Sequence, residues 1–112
     1  ALSRIEDYIA IGKEECQTVL ARDVGPLAKE GCFVGPHIFA NVDPASRLAQ
    51  HEIFGPVLAV MKVRNLDEAL EIANNTEYAL TGGAFSRSPQ NLARIRAELQ
   101  VGNLYLNRGI TG

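Results

Sequence analysis

Apolar residues set the first rhythm of this chain. Ile5, Tyr8, Ile9, Cys16, Val19 and Leu20 recur at helical spacing, and Ser3 followed by Glu6 has the form of a capping box. The spacing predicts an amphipathic helix over residues 3–22. Gly12 interrupts its apolar face and weakens it by about 1 kcal/mol relative to Ala, so a close backbone neighbour is expected there. The turn-rich stretch Gly25–Gly31 is the only plausible seam in the chain. Beyond it, Cys32 to Val34 and His37 to Phe39 read as short extended segments broken at Gly35–Pro36. Asp43 and Pro44 then supply a cap and a first-turn proline for a short helical turn reaching about Gln50.

The second half is more regular. "PVLAVMKV", residues 56–63, is a nearly continuous apolar run, as expected of a strand covered on both faces. Asn65 caps a helix with Leu66, Ala69, Leu70 and Ala73 along one face, ended by Asn74, Asn75 and Thr76. "LTGGAFS" is a second strand, Ser88–Pro89 starts a helix carrying Leu92, Ile95 and Leu99, and "VGNLYLN" is a third strand. Strand, helix, strand, helix, strand with short connections predicts an α/β fold with a parallel, right-handed layer.

Composition narrows the function classes. A chain of 112 residues has room for one domain or a piece of one, with one core. Hydrophobic residues at 46% and charged residues at 21% are ordinary for a globular domain and leave no case for disorder. The net charge of −2, with no cluster of lysines or arginines, gives no footprint for nucleic acid or an anionic membrane. No apolar run approaches the roughly 18–20 residues that span a bilayer, and there is no basic-then-apolar leader, so a soluble cytoplasmic protein is expected. Cys16 and Cys32 belong to no metal-ligand spacing and read as buried thiols.

Candidate chemistry is sparse. In open α/β sheets ligands gather beyond the carboxyl ends of strands, which directs attention to the loops after Val63, Phe85 and Asn107. The first two lead into capped helices, Gly82–Gly83 lies within a strand, and no GxGxxG or GxxxxGK[ST] occurs. No Ser stands in a GxSxG turn and neither Cys has a general base at readable spacing, so no catalytic residue is assigned. His37 sits among apolar residues and reads as structural. Most acidic side chains lie on exposed helix faces. Glu52 is the exception, in the loop "HEIFGP" between Gln50 and a buried strand, which taken alone reads either as a connector with a buried Phe54 or as a loop that presents Glu52 and Phe54 to a ligand.

These residues carry a family resemblance over essentially the whole chain. "HEIFGPVLAV" is similar to the EEIFGPV segment of the aldehyde dehydrogenase superfamily, and "NLDEALEIANNTEYALTGGAFSRS" resembles the family's next stretch. "GKEECQTVL" and "CFVGPHIFANVD" resemble the preceding helix and extended segment. "LTGGAFSRS" with "VGNLYLNRGITG" is most similar to the subfamily of 1-pyrroline-5-carboxylate dehydrogenases, which oxidise L-glutamate γ-semialdehyde to glutamate in proline catabolism. The resemblance implies part of a three-layer αβα catalytic domain with a mainly parallel sheet.

It also implies site residues. The family's second acid, matched by Glu52, hydrogen-bonds the nicotinamide ribose of NAD, and its aromatic, matched by Phe54, packs beside the nicotinamide. His51 stands where the family has its first acid, which leaves Glu52 in register. Gly112 matches the first glycine of the loop whose backbone amides hold the substrate carboxylate. The nucleophilic cysteine, the general-base glutamate, the oxyanion-hole asparagine and the cofactor-binding domain match nothing in residues 1–112 and are expected upstream. The chain opens inside a capped helix and ends inside a glycine loop, so it reads as a fragment, inactive alone and prone to self-association through uncovered apolar surface. A non-catalytic α/β module for assembly or regulation is the alternative, and an independent small-molecule binding domain a weaker one.

Overall fold

The computed structural model describes residues 2–110, which divide into two compact units between Lys62 and Val63. The seam therefore lies after the apolar strand and not at Gly25–Gly31. That connector is a 3-10 turn over Gly25–Lys29 inside the first unit. Gly112 lies outside the described residues.

In the first unit, helix α1 spans Leu2–Glu15 and is followed by strands β1 (Gln17–Ala21) and β2 (His37–Ala40), the short helix α2 (Arg47–Gln50) and strand β3 (Val57–Val60). The expected helix over residues 3–22 thus stops early. Residues 17–21 pair antiparallel with β2 instead, with an irregularity between Thr18 and Leu20. Thr18 is β-branched and suits that pleated ladder, which passes from Thr18–Phe39 to Leu20–Ile38 with Val19 as the extra, unpaired residue, and this pairing overrides the helical spacing of Val19 and Leu20. At the other end, α1 already includes Leu2, so Ser3 sits in its first turn and not at its cap. β2 pairs parallel with β3, giving the order β1–β2–β3.

The core of this unit is Ile9, Phe39, Val42 and Leu48, with Ile5, Tyr8, Ile53, Val57 and Ala59 packed around it. Gly12 does face a close neighbour, but a side chain and not backbone. A Cβ there would lie 2.5–2.7 Å from three atoms of the Phe39 ring, which is fully buried. The absent side chain is what lets α1 settle on β2.

The second unit contains α3 (Leu66–Asn74), β4 (Thr81–Ala84), α4 (Pro89–Glu98) and β5 (Asn103–Leu106). Both caps read from the sequence are present. Asn65 Oδ1 accepts from the Glu68 amide at 2.9 Å, and Ser88 Oγ from the Asn91 amide at 3.2 Å. β4 and β5 pair parallel across α4, whose Ile95 is buried, as is Leu70 of α3. Arg94 ties the helices together, reaching Asp67 and Glu98 at 2.8 Å each. Asn74 adds a second link, donating to the Glu98 carbonyl and accepting from the Gln100 amide, both at 2.9 Å.

The α/β class and the predominance of parallel pairing agree with the sequence. The single five-element layer does not, because β3 pairs with β2 while β4 and β5 form a separate two-stranded sheet. The strand at 56–63 is also covered on one face only. Val57 and Ala59 pack on the core, while Leu58 and Val60 are 55% and 39% exposed.

Candidate functional site: the loop from His51 to Pro56

The loop is fixed at both ends before its middle does anything. His51 closes α2, its amide donating to the Arg47 carbonyl at 3.0 Å, and the Pro56 carbonyl accepts from the His37 amide of β2 at 2.9 Å. Between them Ile53 packs against the core as an anchor. The Val57 amide donates to the Gly55 carbonyl at 2.8 Å, turning the chain into β3.

Helix α1 grips the loop from behind. Arg4 Nη2 donates to the Glu52 carbonyl oxygen at 2.7 Å, and the Tyr8 hydroxyl lies 2.7 Å from His51 Nδ1. Ile5 lies beneath Gly55, where a Cβ would come within 2.9 Å of three of its side-chain atoms. These contacts join residues 43 and 48 positions apart, so nothing local in the sequence signals them, and sequence reasoning does not find Arg4 or Tyr8.

With the backbone held and exposed His51 paired with Tyr8, the Glu52 and Phe54 side chains face outward. Phe54 is 88% exposed and adopts φ 60°, a left-handed conformation that a bulky residue rarely takes. Glu52 is exposed, and among the described residues its carboxylate has no hydrogen bond or ion pair. A carboxylate beside an outward aromatic face can accept from paired hydroxyls and bound a flat ring. A cleft of about 570 Å³ elsewhere in this unit, lined by Ile9, Lys13, Arg22, Phe33 and His37, includes neither residue. The loop therefore presents these two side chains on an open surface and lines no part of that cleft.

The other candidates divide. His37 is buried and its Nδ1 lies 2.9 Å from the Gly35 carbonyl, to which it donates, in keeping with a structural role. Cys16 is half-buried, and burial first, then the charges of Glu15 and Asp43, push its thiol above the ordinary range, which disfavours the thiolate a nucleophile needs. Cys32, expected to be buried, is exposed just past the connector, in a bend without regular structure. Its neighbour Phe33 is half exposed.

In the second unit, the carboxyl ends of β4 and β5 are clamped together by Asn107, at φ 54°. Its Oδ1 accepts from the Ser86 amide at 2.8 Å, and its Nδ2 donates to the Ser86 carbonyl at 3.0 Å. Residues 108–110 follow this clamp in the chain.

Comparison with known proteins bears on the whole segment. A family model described as "Aldehyde dehydrogenase family" matches residues 1–112. The chain is 54% identical over 112 residues to a 1-pyrroline-5-carboxylate dehydrogenase of Geobacillus kaustophilus, covering all of this chain and 21% of that protein. It therefore spans about a fifth of that relative's length. Among solved structures, proline utilization A from Bdellovibrio bacteriovorus superposes with a TM-score of 0.92 at 52% identity, covering 99% of this chain and 11% of that one. A Thermus 1-pyrroline-5-carboxylate dehydrogenase with bound NAD does so at 0.89 and 50%, covering 98% and 21%. On a match that runs from the first residue to the last, the chain belongs to the aldehyde dehydrogenase family.

Proposed function

We propose that these residues are a segment of the catalytic domain of an NAD-dependent 1-pyrroline-5-carboxylate dehydrogenase, which oxidises L-glutamate γ-semialdehyde to glutamate in proline catabolism. Within it, the loop from His51 to Pro56 forms one wall of the cofactor site. Glu52 accepts hydrogen bonds from the nicotinamide ribose hydroxyls, and Phe54 limits where the nicotinamide ring can lie. Bound NAD supplies the hydride acceptor. The observation that carries this reading is the loop itself: anchored by Ile53 and α1, with the Glu52 carboxylate and the Phe54 ring left unengaged.

Gly112 keeps its proposed role as one backbone donor to the substrate carboxylate. The nucleophile and general base belong to other parts of the enzyme, and the cytoplasm is its proposed compartment. Among the described residues no helix is long and apolar enough to cross a membrane. A non-catalytic assembly module finds no specific observation in its favour.

The test is NAD reduction with glutamate γ-semialdehyde, run on residues 1–112 and on the full-length enzyme carrying them. Turnover is expected only in the longer protein, with a raised KM for NAD on Glu52→Gln. A full-length enzyme inactive on this aldehyde overturns the substrate, and an unchanged KM for NAD overturns the role of Glu52.

A further inference from the structure

We infer that Arg4 and Tyr8 of α1 are positioning residues for the cofactor loop, holding its backbone so that Glu52 and Phe54 stay presented. This rests on the cofactor-wall reading above. Arg4, Ile5 and Tyr8 fall at i, i+1 and i+4 and meet the loop at three successive places. The Tyr8 hydroxyl takes His51 Nδ1, the Arg4 guanidinium takes the Glu52 carbonyl, and Ile5 fills the space under Gly55. Arg4 is itself steadied by the Tyr8 ring, its guanidinium carbon 5.8 Å from the ring centroid. The Tyr8 and His51 rings meet edge to face at 6.1 Å.

Two features of the loop make this grip necessary. Phe54 holds φ 60° although its ring, 88% exposed, has almost no packing to stabilise that backbone, so the conformation must be imposed by its neighbours. Glu52 contributes only its carbonyl to the tether, so the group that holds the loop and the group that meets the cofactor are separate atoms of one residue. His51 matters for the same reason. An imidazole at this position can pair with a tyrosine hydroxyl in either protonation state of its Nδ1, as acceptor or donor.

The experiment uses the full-length enzyme, with Tyr8→Phe, Arg4→Met, Tyr8→Phe/His51→Ala and Glu52→Gln. Loss of one such hydrogen bond should raise the KM for NAD, and the dissociation constant for NADH read by fluorescence, about fivefold. The KM for the aldehyde should stay unchanged. The double variant should add little to Tyr8→Phe, because both remove the same bond. A merely structural role would lower kcat through loss of folded enzyme and leave both KM values alone, which overturns the inference. Tyr8→Phe deletes one oxygen and keeps the ring, so it serves if Arg4→Met does not fold. If Glu52→Gln weakens NAD while Tyr8→Phe and Arg4→Met do not, the positioning role fails alone. If the wild-type enzyme turns over and Glu52→Gln leaves NAD binding intact, the cofactor wall fails and the positioning role with it.

Discussion

Replacing Phe54 by Ala and then by Gly separates what its ring does from what its backbone costs. The ring is 88% exposed, so only about an eighth of its surface is covered. On an aromatic side chain of about 200 Å² that is about 25 Å², worth about 0.6 kcal/mol. Phe54→Ala should therefore destabilise the 112-residue chain by less than about 1 kcal/mol, where truncating a core aromatic costs about 3–5 kcal/mol. The backbone at φ 60° disfavours any residue with a Cβ by roughly 1–2 kcal/mol. Part of that is offset because glycine enlarges the unfolded ensemble, so Ala→Gly should recover about 0.5–1 kcal/mol. Urea denaturation followed by circular dichroism reads both steps. In the full-length enzyme both variants should raise the KM for NAD, since neither retains an aromatic face. A loss above about 2 kcal/mol on Phe54→Ala would show that the ring is a packing residue and refute its assignment to a ligand.

Gly12→Ala should lower the urea midpoint. The helix gains about 1 kcal/mol in propensity, but a Cβ 2.5–2.7 Å from the buried Phe39 ring overpacks the core at about 1–3 kcal/mol, and a raised midpoint would contradict that packing. Under limiting alkylation, Cys32 should be modified before Cys16, as mass spectrometry of the peptides would show, because Cys32 is exposed and burial holds the Cys16 thiol up. Asn107→Ala removes both bonds to Ser86 and should cost about 1–2 kcal/mol, with faster hydrogen exchange at the Ser86 amide; unchanged exchange would deny the clamp. Leu58, Leu80 and Phe85 are 55%, 81% and 74% exposed, so the isolated segment should self-associate in light scattering, and a monodisperse monomer would count against it.

What the sequence made legible were contacts that close within one turn. Asn65 and Ser88 each satisfy an amide three residues on, so residue type and position suffice to find them. Asp43 is a correction to that reading: expected to cap a helix with Pro44 in its first turn, it forms a separate turn, its Oδ1 accepting from the Ala45 amide at 2.9 Å, and the helix begins only at Arg47 with Ser46 at its cap position. Strand pairing is not local. Val19 and Leu20 fit helical spacing from Ile5 as well as they fit a strand, and only the ladder with residues 37–40 decides between them. For the same reason the order of elements predicted one layer where the pairings form two sheets.

The site shows the same division inside six residues. A carboxylate and an aromatic between Gln50 and a Gly-Pro pair identify Glu52 and Phe54 as candidates, but do not say which way either points. That direction comes from Ile53 entering the core, from a left-handed backbone at Phe54, and from a helix whose contributing residues lie 43 and 48 positions earlier. A glycine at position 55 is explained only when Ile5 is found beneath it. Substitutions in α1 should therefore change cofactor affinity although α1 contributes no group to the proposed cofactor wall. In the proposed cofactor wall the motif names the groups on offer, Glu52 and Phe54, and the contacts from Arg4, Ile5 and Tyr8 fix the backbone that carries them.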